Sequence, residues 1–378
     1  MRIIVIDNDY PNEGNLYGDV FVHVRIKEYR HFHECLIVSL TATEDFVYEG
    51  VSVKACATTD KANNVIRAFK PDIILIHFAL KDIIEDIIPM HKTRFIVWVH
   101  GYEALAWYRR LFNFNWKSYL PHNLFSIVKS SVSQLLSFAG LIRKSNKYGF
   151  IYFVFVSRWM QKMCEADTFS KVKNAVVIPN PINIELFKYS PKIVEKRKHI
   201  LMIRPFSSKK YATDMATDAI MFLSRHAFFS ELQFTIIGKG YYFNKHTDKL
   251  KTFKNIILRE TFLTQQEIKK YHDYNGIFLC PTRQDAQGVS MCEAMSSGLV
   301  PVTSLSTAIP EFVQDGQSGF LTKNALEIAD KIIYLYNNPE AFSKMSYSAS
   351  DSIIKKCAIK SIVKQELQLI EQQIKVSA

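Results

Sequence analysis

Short apolar runs rich in β-branched residues alternate with segments of helical length along almost the whole chain, and this is the pattern of parallel strands joined by crossover helices. Strands are expected at Arg2–Ile6, Cys35–Ser39, Asp72–Phe78, Phe95–His100 and Ile151–Val156, with Phe46–Tyr48 and Val51–Val53 pairing as a small hairpin about Glu49-Gly50. A second series is expected at His199–Ile203, Gln233–Ile237, Ile256–Leu258, Ile277–Cys280 and Val300–Val302. Between them lies IPNPINIELFKYSPKIVEKRKH, where Pro179, Pro181 and Pro191 interrupt regular structure ahead of a charged run. This places a boundary near 190, with one domain over 1–190 and another over 191–378. Two domains also suit a chain of 378 residues, since a single core stops growing at roughly 250–300. Thr264 with Glu267 three residues on makes a capping box for a helix through Ile268–Tyr274, and the chain from Pro339 reads as helix to the end.

Open α/β domains take their ligands outside the carboxyl ends of the strands, so chemistry is expected just after strands. The net charge, 48 Lys+Arg less 36 Asp+Glu or +12, calls for an anionic partner: nucleotide phosphate, nucleic acid or an anionic membrane surface. No RNA- or DNA-binding motif stands out, so no nucleic-acid partner is expected. The six cysteines (Cys35, Cys56, Cys164, Cys280, Cys292 and Cys357) contain no C-x-x-C and read as free thiols in a reducing compartment rather than a disulfide or zinc framework. The start, MRIIVIDNDY, lacks a signal core, and no uninterrupted apolar run approaches the roughly 18–20 residues of a membrane span. The expected place is cytoplasmic, or peripheral on the inner face of the plasma membrane. Asp7-Asn8-Asp9, a D-x-D after the first strand, reads as a loop rather than a metal site.

The richest stretch is IFLCPTRQDAQGVSMCEAMSSGLVPVTSLSTAIPEFVQDGQSGFL, residues 277–321. A strand ends at Cys280-Pro281, a polar loop carries Asp285, Gly288 allows close backbone approach, and a helix begins near Val289–Met291 with Glu293 in its first turn. Amides of Gly288, Val289 and Ser290 at a positive helix end suit a phosphate, and two carboxylates eight positions apart beside it suit sugar or ribose hydroxyls. Taken alone, the same acids read as a solvated loop residue, Asp285, and a complement to the helix dipole, Glu293.

P-T-R-Q-D-A-Q-G-V-S-M-C-E-A-M-S-S-G-L-V-P-V resembles the E-x7-E region of the retaining glycosyltransferases of the large group numbered family four, with Asp285 in place of the first glutamate and Gln287 where an aromatic is common. Pro310-Glu311-Phe312 with Asp315-Gly316 and Gly319 is similar to that family's next element along the chain. Ile203-Arg204-Pro205 ahead of Lys209-Lys210 resembles its G-R-x-x-x-x-K-G, with Lys210 the better match, and Thr235–Gly240 its strand ending in G-x-G. In the first domain Gly14 and Gly18 resemble the glycine loop after the first strand, Val99-His100-Gly101 the H-D or H-G element, and Val156-Ser157-Arg158 and Ile178-Pro179-Asn180-Pro181 the landmarks before the linker.

The resemblance implies the GT-B fold: two Rossmann-like doubly wound parallel-sheet domains facing across a cleft, the first on the acceptor side and the second binding nucleotide-sugar, with the final helix packing back on the first. It implies sugar transfer from a nucleotide diphospho-sugar, UDP-linked rather than GDP-linked, to an acceptor hydroxyl with retained configuration. No metal and no further cofactor are implied. Arg204 and Lys210 would hold the leaving diphosphate with the amides of Gly18, Gly288, Val289 and Ser290. Glu293 would bind ribose, Asp285 the donor sugar, and His100 the donor sugar or reacting centre. Lys209, Gln287 and Phe262 would complete the donor site, Phe262 in the segment that contacts the base. The alternatives are an inactive nucleotide-binding subunit, or an epimerase or phosphorylase on the same fold. Residues 104–164 hold nine Lys and Arg, no Asp or Glu, and interleaved aromatics including Trp107, Phe114, Trp116 and Phe125. That composition fits either a solvated helix pair or the interface of an anionic membrane, and the second would suit a lipid-linked glycan acceptor in surface-polysaccharide synthesis.

Overall fold

A computed structural model describes residues 1–16, 18–114 and 116–375. The chain forms two compact units, Met1–Pro181 with Ile359–Ala378, and Ile182–Ala358.

The first unit is an eight-stranded sheet. Its strands are β1 (Arg2–Ile6), β2 (Glu34–Ser39), β3 (Phe46–Tyr48), β4 (Val51–Ala55), β5 (Ile73–His77), β6 (Arg94–Val99), β7 (Ile151–Phe155) and β8 (Ala175–Val177). The order is β3-β4-β2-β1-β5-β6-β7-β8, parallel except for the β3–β4 hairpin. Helices α1 (Val20–Tyr29), α2 (Thr59–Phe69), α3 (Pro121–Tyr148) and α4 (Arg158–Asp167) connect these strands. The central strands are uninterrupted apolar runs because both faces are covered; Ile3, Ile4, Val5 and Ile6 are all buried.

The second unit holds β9 (His199–Ile203), β10 (Gln233–Ile237), β11 (Ile256–Arg259), β12 (Ile277–Cys280), β13 (Val300–Ser304) and β14 (Phe320–Thr322), in the all-parallel order β11-β10-β9-β12-β13-β14. Its helices are α5 (Thr213–Leu223), α6 (Phe243–Thr247), α7 (Gln265–Tyr274), α8 (Val289–Ser296), α9 (Ala325–Asn337) and α10 (Pro339–Cys357). The Thr264–Glu267 capping box forms at the start of α7, with Glu267 Oε2 accepting from the Thr264 amide at 2.8 Å.

Three expectations need correction. The units divide at Pro181, ahead of 190, because 182–190 packs on the second unit: the Ile182 amide donates to the Cys357 carbonyl (2.8 Å), the Ser296 hydroxyl to the Phe187 carbonyl (2.8 Å), and Tyr189 meets Tyr347 edge-on. The helix from Pro339 breaks at Ala358, whose extended ψ of 127° fits its bridge to Ile182. Beyond the break a separate helix, α11 (Ile359–Lys375), packs Ile362 and Ile370 into the first unit beside Val22 and Ile26 of α1. The short strands β8 and β14 carry too few residues to show a pattern and were not expected.

Candidate functional site

In the second unit the carboxyl ends of β9 and β12 bring the strongest candidates together. Arg204 follows β9 directly and is buried, 3% exposed. Its Nη1 donates to Ser290 Oγ on α8 (3.1 Å), and its Nη2 reaches the carbonyls of Cys280 (3.4 Å) and Pro281 (3.5 Å) at the end of β12. Its Nε has no hydrogen-bond partner, and no carboxylate pairs with the guanidinium among the described residues. Tyr211 gathers the second cation: Arg204 Cζ and Lys210 Nζ lie 5.4 and 4.8 Å from the centroid of that one ring. The loop carrying Arg204 is held by the Gly238-Lys239-Gly240 turn after β10, where backbone crosses backbone so closely that a Cβ on Gly238 would lie 1.9 Å from the Arg204 carbonyl oxygen.

Arg283 escaped the sequence reading. It clamps this region, donating to the Lys209 carbonyl (2.7 Å) and, through both Nη atoms, to the Asp214 carboxylate (2.9 and 2.7 Å), while its amide donates to the Lys210 carbonyl. The Lys209–Tyr211 turn is thereby fixed to the loop after β12. Nothing in the local pattern around Arg283 marks it, because its partners lie about seventy positions away.

The amino end of α8, where an anion is expected, is narrower than the sequence implies. Gly288 is its N-cap in the left-handed conformation (φ 82°), but its amide donates to Asp285 Oδ1 (2.7 Å), as does that of Gln287 (3.2 Å). Asp285 therefore caps the helix with one oxygen. The first-turn amides of Val289 and Ser290 have no intrahelical acceptor. Gln287 turns inward and is buried, its Nε2 3.9 Å from Cys357 Sγ, so its side chain does not face this site. Glu293 Oε1 accepts from Gln265 Nε2 at the start of α7 (3.3 Å), another partner the sequence did not announce, and burial pushes the Glu293 carboxyl up to about 7. Phe262, exposed after β11, stands at the far edge of the same sheet end.

In the first unit His100 follows β6 and is buried, its Nε2 2.9 Å from His77 Nδ1 at the end of β5. Glu103 beneath it accepts from the amides of His100 and Gly101 and is pushed up to about 7 by burial. Gly18 does allow a close approach, since a Cβ there would lie 2.4 Å from the Asp9 carbonyl, but its amide points to the Asn15 carbonyl (3.4 Å). Asp7, Asp9 and Asp19 gather around this loop; burial raises all three carboxyls, with hydrogen bonds from Asp19 and the Asp9 backbone partly opposing it at Asp7 and the charge of Asp7 adding to it at Asp19. The Gly18 amide is thus engaged within its own loop, unlike the outward donor that the resemblance implied. Among the described residues no group of His, Cys, Asp and Glu is arranged to ligate a metal ion.

The longest element of the acid-free stretch 104–164 is α3. This helix of 28 residues is long and apolar enough by composition to cross a membrane, although serines interrupt its apolar run and keep an unbroken span from showing in the sequence. Gln134 and Ser145 tie it to the domain through the carbonyls of Ala79 (3.0 Å), Glu103 (2.9 Å) and Ile151 (2.7 Å). Its exposed side carries Phe125, Lys129, Val132, Leu136 and Arg143 at successive intervals of four, three, four and seven, which is one helical face. Of the nine cations, Arg109 is neutralised by the Asp167 carboxylate at 2.6 Å.

Residues 197–338 match the family of glycosyl transferases group 1. Alpha-monoglucosyldiacylglycerol synthase of Acholeplasma laidlawii is 25% identical over 192 residues, which are 47% of this chain and 47% of that protein. The chain thus matches about half the length of that curated relative. Among solved structures, sucrose-phosphate synthase of Thermosynechococcus elongatus superposes with a TM-score of 0.78 at 10% identity over 100% of both chains. Anabaena Alr3699/HepE in complex with UDP-glucose does so with a TM-score of 0.71 at 13% identity, over 98% of this chain and 100% of that one.

Proposed function

Since residues 197–338 are a glycosyl transferases group 1 domain in a chain of GT-B fold, we propose that the protein moves a sugar from a UDP-sugar to an acceptor hydroxyl with retention of configuration. The observation that carries this reading is the Arg204 guanidinium, a buried cation that meets a hydroxyl, two carbonyls and the face of Tyr211 but, among the described residues, no carboxylate. A buried charge without a counter-ion is costly, so the site is built to receive an anion. Lys210 on the same tyrosine ring and the amides of Val289 and Ser290 supply the remaining positive potential.

As the bond between the anomeric carbon and the β-phosphate oxygen breaks, its electron pair passes to the diphosphate. Arg204 and Lys210 stabilise that charge most when it is fully developed. Glu293 accepts from ribose hydroxyls, and the second oxygen of Asp285 accepts from the donor sugar. The UDP-glucose complex of Alr3699/HepE supports uridine as the base. The acceptor is a lipid-linked glycan or glycolipid, an assignment supported by the diacylglycerol-modifying relative and by the basic, apolar face of α3, which suits the surface of an anionic membrane on which the protein would lie without crossing.

The test is consumption of a panel of nucleotide-sugars by wild type, Arg204→Ala and Glu293→Ala. Loss of the Arg204 donor is expected to cost about 10²–10³-fold in turnover, and Glu293→Ala to lower turnover by weakening ribose binding. Equal turnover in all three would remove the site assignment, and calorimetric binding of nucleotide with no consumption of any donor would make the protein a non-catalytic subunit.

A further inference from the structure

A buried chain of polar groups runs through the first unit and ends at His100. Glu366 of α11 and Arg25 of α1 are fully buried and ion-paired, Glu366 Oε1 lying 3.3 Å from Arg25 Nε. Tyr29 donates its hydroxyl proton to Glu366 Oε2 (2.5 Å), and Arg25 Nη2 donates to Asn180 Oδ1 (2.9 Å). Arg25 Nη1 then lies 3.5 Å from His77 Nδ1, the atom that His100 Nε2 approaches to 2.9 Å. The two imidazoles are stacked, with centroids 5.2 Å apart and planes 22° apart, and His77 stacks in turn on Trp98. Register explains the stack: His77 lies opposite Trp98, and Trp98 and His100, two positions apart, project from the same face.

This geometry decides where the protons sit. A guanidinium carries only donors, so its position beside His77 Nδ1 favours a lone pair there and excludes a proton. His100 must then donate from Nε2, which leaves its Nδ1 deprotonated. His100 Nδ1 is buried with no hydrogen-bond partner, beside the rings of Phe21 and Phe78. Burial, reinforced by the Arg25 charge, keeps both histidines neutral by holding their pKa values well below the usual range.

We infer that Arg25 and His77, braced by Glu366 of the C-terminal helix, are positioning residues that lock His100 as the Nε2–H tautomer and present its Nδ1 as an acceptor for a hydroxyl of the sugar substrate. This rests on the proposed sugar transfer and on the contact between His100 and the donor sugar that the resemblance implies. It adds an assignment for three residues outside the donor motifs, and it makes His100 a neutral acceptor toward the sugar, its one N–H being spent on His77.

The experiment labels the imidazole nitrogens of the full chain with ¹⁵N and compares wild type with His77→Asn and His77→Phe. Asn places a carbonyl oxygen near the former Nδ1, whereas Phe keeps the stack and removes the acceptor. The expected wild-type spectrum shows His100 protonated at Nε2 only. Asn preserves that pattern and most of kcat/KM, and Phe loses the pattern together with about 10–100-fold in kcat/KM, the range typical of groups that orient a ligating histidine. A purely structural role predicts the reverse order, because an apolar ring fills this dry site better than an amide. A wild-type spectrum with the proton on Nδ1 would overturn the relay. A Phe variant with altered tautomer and unchanged kinetics would leave the relay standing and overturn the contact between His100 and substrate.

Discussion

Glu293 illustrates how one side chain serves fold and ligand at opposite ends of the pH scale. Burial raises its carboxyl from 4.5 to about 7, with the Gln265 amide only partly opposing. A raised acid keeps its proton in the folded state while the unfolded chain has released it, so its contribution to stability is greatest below pH ~4.5 and falls as pH rises through about 7. Ligand binding runs the other way. A ribose hydroxyl needs an acceptor, and only the ionised carboxylate offers both oxygens as such. Affinity for UDP-glucose, whose diphosphate does not titrate in this range, is therefore expected to rise between pH 6 and pH 8 in wild type, by up to about tenfold for a single deprotonation across two units. It should be flat and weaker in Glu293→Gln. Calorimetric titration at four pH values checks this, and a wild-type affinity independent of pH would remove Glu293 from the ribose site.

At the scale of elements, Asp285 and α8 show what was legible in the sequence and what was not. The central strands of both sheets could be read because Ile, Val and Leu runs buried on both faces leave no ambiguity of period. The strand–loop–helix around Gly288 could be read because its spacing matches a family pattern. The capping role of Asp285 was hidden, since a carboxylate three positions before a helix N-cap looks the same whether it faces a ligand or folds back on the amides of Gln287 and Gly288. The Arg283–Asp214 clamp and the Arg25–Glu366 pair were hidden for a different reason: tertiary folding alone brings such distant residues together, and no local period encodes them. The two roles of Asp285 can be separated. Asn retains Oδ1 as a cap acceptor, so Asp285→Asn should melt close to wild type. Asp285→Ala loses the cap at about 1 kcal/mol, or about 2–4 °C for a domain of this size. Lower turnover in Asn at unchanged melting temperature would then report the loss of the sugar contact, whereas equal melting losses in both variants would show that the cap is not what the carboxylate provides.

At the scale of the whole molecule, the +12 charge is unevenly placed. Arg204, Lys209 and Lys210 belong to the second unit, where the proposed donor would bring its diphosphate. In the first unit, α3 alone carries Lys129, Arg143, Lys144 and Lys147, and no acid lies within 104–164. Phe125 and Leu136, 67% and 62% exposed, sit on the same outer face, and an apolar face with basic flanks has its lowest free energy at an anionic lipid surface. Each Lys or Arg near such a surface contributes about 1 kcal/mol, so reversing three of them (Lys129→Glu, Lys144→Glu, Lys147→Glu) should weaken binding to vesicles by at least about 100-fold. Phe125→Ser with Leu136→Ser should weaken it by removing the inserted rings and methyls, with little change in salt dependence, whereas the charge-reversed variant should lose its salt dependence altogether. Flotation with phosphatidylglycerol-containing and pure phosphatidylcholine vesicles, at low and at ~0.5 M salt, separates the two contributions. If wild type floats equally with both lipids, the positive charge of α3 has another purpose and the acceptor need not be held at a membrane.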